Sequence, residues 1–272
     1  MPAAIRTTIV ILSLAIAGVI GAWAAGGFLA NRGGLGPSIL QSQSPVIALF
    51  GVTVAIGIVA VLGAFVARGT TYLTGMFLIG FTLFAMSLQL QGASEFVLSG
   101  GNLYMLSLEA VVMAIVLFGS TLIVYRIGGP LQDVPKAKNS KHSTDLFTTL
   151  VISLVVLPVV WMIATTPEKA QVIGTTAVGG IAIGFLVRQL LPTMQPIIIF
   201  AVPTAVGGVG YLIASMMGPT DGVALMQQSI SPLLYPMPID YAAGSVMGLS
   251  IGLSWAASLA QPKDADQVEY PA

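Results

Sequence analysis

Few side chains in the apolar part of this 272-residue chain can carry acid–base or ligand chemistry, and Glu109 comes first among them. It lies about six residues into the apolar run Leu103 to Tyr125, roughly 9 Å along a helix at about 1.5 Å per residue. A carboxylate at that depth is costly unless it is neutralised or paired, so it is by default a candidate for proton or cation coupling. No basic residue of its own run can reach it. Gln89 and Gln91 close the preceding run, and Asp240 sits on the lip of the last one, so these are the polar groups placed to share its site. The same residues also fit a structural reading, in which Glu109 hydrogen-bonds between helices or reaches the interface. Pro203 and Gly207 add a second clue. The run Phe200 to Gly210 holds a proline and three glycines, which predicts a kink or break near Pro203, and interrupted helices in transporters expose backbone groups to a substrate.

Spacing, rather than chemistry, marks the end of the chain. Gly244, Gly248, Gly252 and Ala256 are each four residues apart and continue to Ala260, so small side chains form a ridge down one helix face. Ser250, Ser254 and Ser258 form a ladder beside it. Close packing inside the bundle accounts for the ridge, and the sharper alternative is a homodimer or partner-subunit face. Weaker ridges occur at Gly18, Ala22, Gly26 and Ala30, and at Thr176, Gly180 and Gly184.

Other chemistries lack their residues. With no cysteine and a single histidine, His142, the chain offers no thiolate metal site, no iron–sulfur cluster and no histidine pair for haem. No metal ligand set or catalytic constellation is evident, and no cofactor is expected. Gly207 to Gly210 lacks the strand and the following acid of a dinucleotide fold. The basic stretch has only three lysines and no interleaved aromatics, so it reads as a topology signal, with no nucleic-acid partner.

The elements that hold these residues follow from composition. Only 7% of residues are charged, 56% are hydrophobic, and the mean hydropathy is +0.95; soluble domains carry about a quarter charged residues. Lipid must be the solvent. Continuous apolar runs of about 20 residues then mean helices rather than barrel strands, so the fold class is all-α and polytopic. Eight runs are expected: about 7–30, 46–67, 70–91, 103–125, 146–164, 167–191, 197–217 and 241–260. The first resembles a signal peptide at its start but continues past the small-residue site at Ala22 to Ala24, which favours an uncleaved helix. Thr166 with Pro167 and Glu168 predicts a capped helix start, Pro158 falls inside the fifth run, and Thr220 or Asp221 is placed to cap a short helix through Ile230.

Charge orients the runs. With the N-terminus inside, Arg6, Arg68, Arg126, Lys136, Lys138, Lys141, Arg188 and Lys263 share the cytoplasmic face against Arg32 and Lys169 outside. The chain therefore divides into a four-helix half at 1–126, a basic cytoplasmic hinge at 127–145, a second four-helix half at 146–261, and a polar tail at 262–272. This 4+4, N-in and C-in plan predicts a permease or transporter-like protein for a small solute, possible cation or proton coupling included, in a cell membrane, most simply a bacterial inner membrane. The alternative is a non-catalytic subunit of a membrane complex, joined through the last helix.

Overall fold

The computed structural model describes residues 2–131, 134 and 142–260. Eleven α-helices follow one another: α1 (Ala3–Ala25), α2 (Pro45–Gly69), α3 (Tyr72–Ser87), α4 (Ala93–Leu98), α5 (Leu103–Gly128), α6 (His142–Ser153), α7 (Val156–Ile163), α8 (Lys169–Leu190), α9 (Val202–Met217), α10 (Gly222–Met226) and α11 (Pro238–Ala260). Short 3-10 turns lie at Gly26–Phe28, Ile39–Gln41, Ile198–Phe200 and Pro232–Leu234. The described residues hold no strand, only an isolated bridge between Leu29 and Leu35.

Among the described residues, seven helical stretches are long and apolar enough to cross a membrane. They are α1 with its 3-10 extension, α2, α5, α6 joined to α7, α8, the 3-10 turn leading into α9, and α11. The expected third run is shorter than the others, because α3 has only 16 regular residues before the chain tightens into turns at Leu88 to Leu90. Many large apolar side chains point outward, among them Trp23, Phe50, Ile115 and Phe147. A helix that is apolar both inward and outward needs lipid on its outer side. The fold is that of an all-helical, multi-pass membrane protein.

Local chemistry fixes several helix ends. Asn102 caps α5 by accepting from the amides of Tyr104 at 2.9 Å and Met105 at 3.3 Å, and Thr71 caps α3 by accepting from Thr74 at 3.3 Å. Asp221 caps α10 through the amide of Ala224 at 2.8 Å, but that helix stops at Met226 rather than Ile230. The expected cap at Thr166 does not form. Helix α8 begins at Lys169, and Thr166 instead donates its amide to Gln171 Oε1 at 2.8 Å. The run holding Pro158 is broken into α6 and α7. Pro158 has no N–H for the Leu154 carbonyl, which takes the amide of Leu157 at 3.0 Å, so the ladder tightens there.

Small residues set the helix spacing. A Cβ on Gly63 of α2 would stand 2.7 Å from the carbonyl oxygen of Gly75 on α3, and one on Gly75 would stand 2.6 Å from that of Gly63. The two backbones touch there, so no larger residue fits. In α1 the packed line runs through Ser13, Ala17, Gly21 and Ala24, not through the expected Gly18, Ala22, Gly26 and Ala30; Ala22 and Gly26 face outward. Helix α3 is enclosed by α1, α2, α5 and α11, while α5 packs along α9. The lysines of the hinge, Lys136, Lys138 and Lys141, and the polar tail lie outside the described residues.

Candidate functional site

Two buried acids lie on α5 and α11. Both lie near the end of the bundle remote from residues 127–145, here called the far end, and both are almost wholly enclosed: Glu109 is 3% exposed and Asp240 0%. Glu109 accepts the amide of Ile39 on Oε1 at 3.0 Å and that of Leu40 on Oε2 at 3.2 Å, and the Ser38 hydroxyl donates to it as well. These amides open the 3-10 turn Ile39–Gln41, where backbone N–H groups have no helical partner of their own. The carboxylate thus satisfies them from another helix and pins the 29–44 loop, which connects α1 to α2, onto α5. Gln89 and Gln91 do not share this site. Gln89 is exposed and donates to the Ala85 carbonyl at 3.4 Å, while Gln91 reaches the same loop by its backbone, donating to the Leu35 carbonyl at 3.2 Å.

Asp240 has a partner that charge counting alone did not place beside it. Lys169, the first residue of α8, donates to its two oxygens at 2.9 and 3.0 Å. The Ser87 hydroxyl at the end of α3 also donates to Oδ1, and the amide of Met237 donates to Oδ2 at 2.9 Å. Asp240 is the third residue of α11, so its reach back to Met237 is the carboxylate half of a capping box. One acid therefore starts α11, neutralises Lys169, and ties α8 and α11 to α3. The Thr176 hydroxyl extends the network by donating to the Asp240 carbonyl at 3.0 Å. Lys169 and Asp240 are 71 residues apart, and the only sequence signal was that each is a rare charge expected on the same side.

The break expected near Pro203 lies immediately before it. Pro203 occupies the first turn of α9, and the 3-10 turn Ile198–Phe200 leads into it at an angle set by Ala201. The glycines that follow serve close approach rather than bending. A Cβ on Gly207 would stand 2.7 Å from Cγ of the Tyr241 ring, and one on Gly208 would stand 3.0 Å from the Ser107 carbonyl oxygen of α5. Gly207 and Tyr241 are therefore level, which sets the start of α11 well below the far end of α9. The Tyr211 hydroxyl confirms the descent of the connector by donating to the Pro236 carbonyl at 2.6 Å.

The ridge on α11 is occupied within the chain. Added Cβ atoms on Gly244, Gly248 and Gly252 would collide with the α8 backbone at Ile173, Ala177 and Ile181, and Gly180 and Gly184 of α8 return the contact against Ser245 and Leu249. Helices α8 and α11 run parallel in this contact, with Ala256 buried at its lower end. The seam formed where α3 meets α11 and α5 meets α9 is equally close. On α3, Gly80 meets Met247 of α11, and on α9, Gly208 meets Ser107 of α5.

At the opposite end, nearest the hinge, a cleft of about 490 Å³ opens along the same seam. Phe118, Leu122 and Tyr125 of α5 form one wall, and Asp145 with the 193–198 segment forms the other. Gln195 fastens that segment to α5's extension, accepting the Leu131 amide at 3.1 Å and donating to the Leu131 carbonyl at 3.3 Å. Among the described residues no three His, Cys, Asp or Glu side chains converge as a metal site would require. Comparison with protein families, with characterised proteins and with solved structures finds no match.

Proposed function

We propose that the chain is a permease for a small solute, held in a conformation closed at the far end and open at the hinge end. The observation that carries this reading is the unequal treatment of one seam. Its far end is closed by the Asp240–Lys169 pair of the last four helices tied to the Ser87 hydroxyl of the first four, while its hinge end widens into the 490 Å³ cleft. A bundle built only for stability has no need of a buried ion pair, which contributes little net stability over apolar packing. In this reading α3 is the eighth crossing, since it is enclosed along its whole length by other spans. The two sets of four are then related by a pseudo-twofold axis. The contact of α3 with α11 answers that of α9 with α5, and that of α2 with α5 answers that of α8 with α11. Short α4 and α10 hold equivalent places before the fourth helix and touch each other. With the basic residues inside, both termini and the hinge face the cytoplasm. Glu109 then acts as a clamp on the far-end loop, and Asp240 as the latch; cation or proton coupling, if used, runs through opening of that latch.

A substrate-blind assay tests this. Proteoliposomes loaded with a mixture of small metabolites are incubated, and their contents are followed by mass spectrometry. At least one solute class should leave faster than from protein-free vesicles; identical losses for every solute would remove the permease reading.

One observation favours the second reading, a subunit of a membrane complex. A groove of about 250 Å³ between α3 and α11, lined by Thr71, Thr74, Ser250, Ser254 and Trp255, presents hydroxyls on the outer face of the bundle. Thr71 and Thr74 bond each other and Ser250 bonds the Val246 carbonyl, so Ser254 is the hydroxyl left for a second helix, of another copy or another protein. Ser254→Leu would then release a partner in native gels, whereas an unchanged monomer would count against it.

A further inference from the structure

Two hydroxyls on α9 and α11, beside the seam, break a rule that most other buried serines and threonines of the helices keep. Thr82, Ser120, Thr121, Thr175 and Ser250 each donate to a carbonyl three or four residues back on their own helix. Thr204 of α9 and Ser245 of α11 are completely buried, and their hydroxyl oxygens have no partner. An unpaired hydroxyl in lipid-like surroundings is costly, and buried polar groups left in this way are where bound water or a ligand belongs.

Their positions are related. Because Gly207 of α9 is level with Tyr241 of α11 and the two helices run in opposite directions, Thr204 and Ser245 each lie one turn further toward the hinge end on facing helices. The backbone adds an acceptor about one turn nearer the hinge end. Pro203 cannot donate to the carbonyl of Ile199, four residues back, and Ile199 is fully buried. The top of the hinge-end cleft is near as well. Ile198 lines it and stands six residues before Thr204, roughly 9 Å along the helix. The nearest acids are already engaged: Asp240, more than a turn above Ser245, by Lys169, Ser87 and Met237, and Glu109, on α5 near the level of Gly208, by the amides of Ile39 and Leu40.

We infer that Thr204 and Ser245 form a binding position, at the head of the cleft, for a small uncharged hydrogen-bonding molecule, with water its simplest occupant. The position rests on the permease reading for its place on a path, and it names the class of solute that path admits. Two hydroxyls and a carbonyl supply both donors and acceptors without a net charge, which suits a neutral polar molecule and leaves an ion without a counter-charge.

The natural absence of cysteine makes the test direct. Thr204→Cys, with Ala110→Cys on the neighbouring wall of α5 as the dry control, is reconstituted in nanodiscs and treated with a small methanethiosulfonate reagent. Only a hydrated thiol ionises and reacts, so Cys at 204 should be modified at least about ten-fold faster than Cys at 110. In parallel, the near-isosteric pair Thr204→Val with Ser245→Ala is compared with the parent by thermal unfolding. If the hydroxyls hold a molecule, its loss leaves Tm unchanged or lower. If they are merely unpaired, replacing them with apolar groups raises Tm. Equal labelling at 204 and 110, or a raised Tm, overturns the inference. Swelling of proteoliposomes in urea separates the two layers: fast labelling with no urea flux above protein-free vesicles keeps the site and removes the path, while urea flux that the double variant abolishes supports both.

Discussion

Breaking the Lys169–Asp240 pair from either side should give unequal losses, and the inequality follows from burial. Asp240 is 0% exposed, whereas the Lys169 side chain is 16% exposed and begins a helix at the far-end surface. Lys169→Met leaves a buried carboxylate with only the Ser87 hydroxyl and the Met237 amide, a situation that costs about 3–5 kcal/mol. Asp240→Asn leaves a lysine that can swing outward into water along its flexible stem, so the loss is that of hydrogen bonds to a charged group, about 1.5–3 kcal/mol. The double variant has no charge to strand. It should therefore lie close to Asp240→Asn alone, well short of the sum of the two singles. Reversible unfolding in mixed micelles with increasing dodecyl sulfate measures all four chains on one scale. Single losses that add to within about 0.5 kcal/mol, the agreement expected of independent sites, would refute the pairing. So would a larger loss for Asp240→Asn than for Lys169→Met.

Four further substitutions probe other parts of the bundle. Gly248→Leu drives a side chain into the α8 backbone at Ala177, so folded yield should collapse, while Leu259→Ala on the exposed side of the same helix leaves it unchanged; size-exclusion profiles of both check this. Glu109→Gln turns an amide toward the donor of Ile39 or Leu40, so one backbone N–H loses its acceptor at a cost of about 1–3 kcal/mol, and hydrogen exchange at those two residues should quicken while that of α5 stays slow. Gln228 is the one non-glycine residue with positive φ among the described residues, at +54°, just past the end of α10. Gln228→Gly should remove about 1–2 kcal/mol of left-handed strain and raise Tm.

The sequence carried the coarse fold because lipid imposes a simple pattern, and continuous apolar runs announced themselves. The run at 70–91 was the least faithful, since its last residues are apolar enough to be helical yet tighten into turns under the 29–44 loop. The α11 ridge was also legible, as a four-residue period survives in any helix. Its partner was partly legible: the weaker ridge at Thr176, Gly180 and Gly184 lies on the receiving face of α8, while the rest of that face is bare backbone at Ile173, Ala177 and Ile181, which any sequence supplies. The same reason hid the partners of Glu109: an isolated acid is visible, but the amides of Ile39 and Leu40 are common to almost all residues. Lys169 and Asp240 were both visible as rare charges, and only the fold brought them together across 71 positions. Pro203 marked its break correctly, whereas Gly207 and Gly208 proved to be contact residues for Tyr241 and α5. Thr166 had the composition of a cap, but Gln171 competes for it and holds its amide.

Single cysteines at the two ends of the seam test the closed-and-open arrangement most directly. Leu122→Cys lines the hinge-end cleft, and Ala242→Cys lies fully buried two residues below the Asp240 latch. In nanodiscs, where both faces meet the reagent, the thiol at 122 should react readily and the thiol at 242 should stay inert until Lys169→Met is added. Equal reactivity at the two positions in the otherwise unaltered chain would contradict a seam sealed at one end and open at the other.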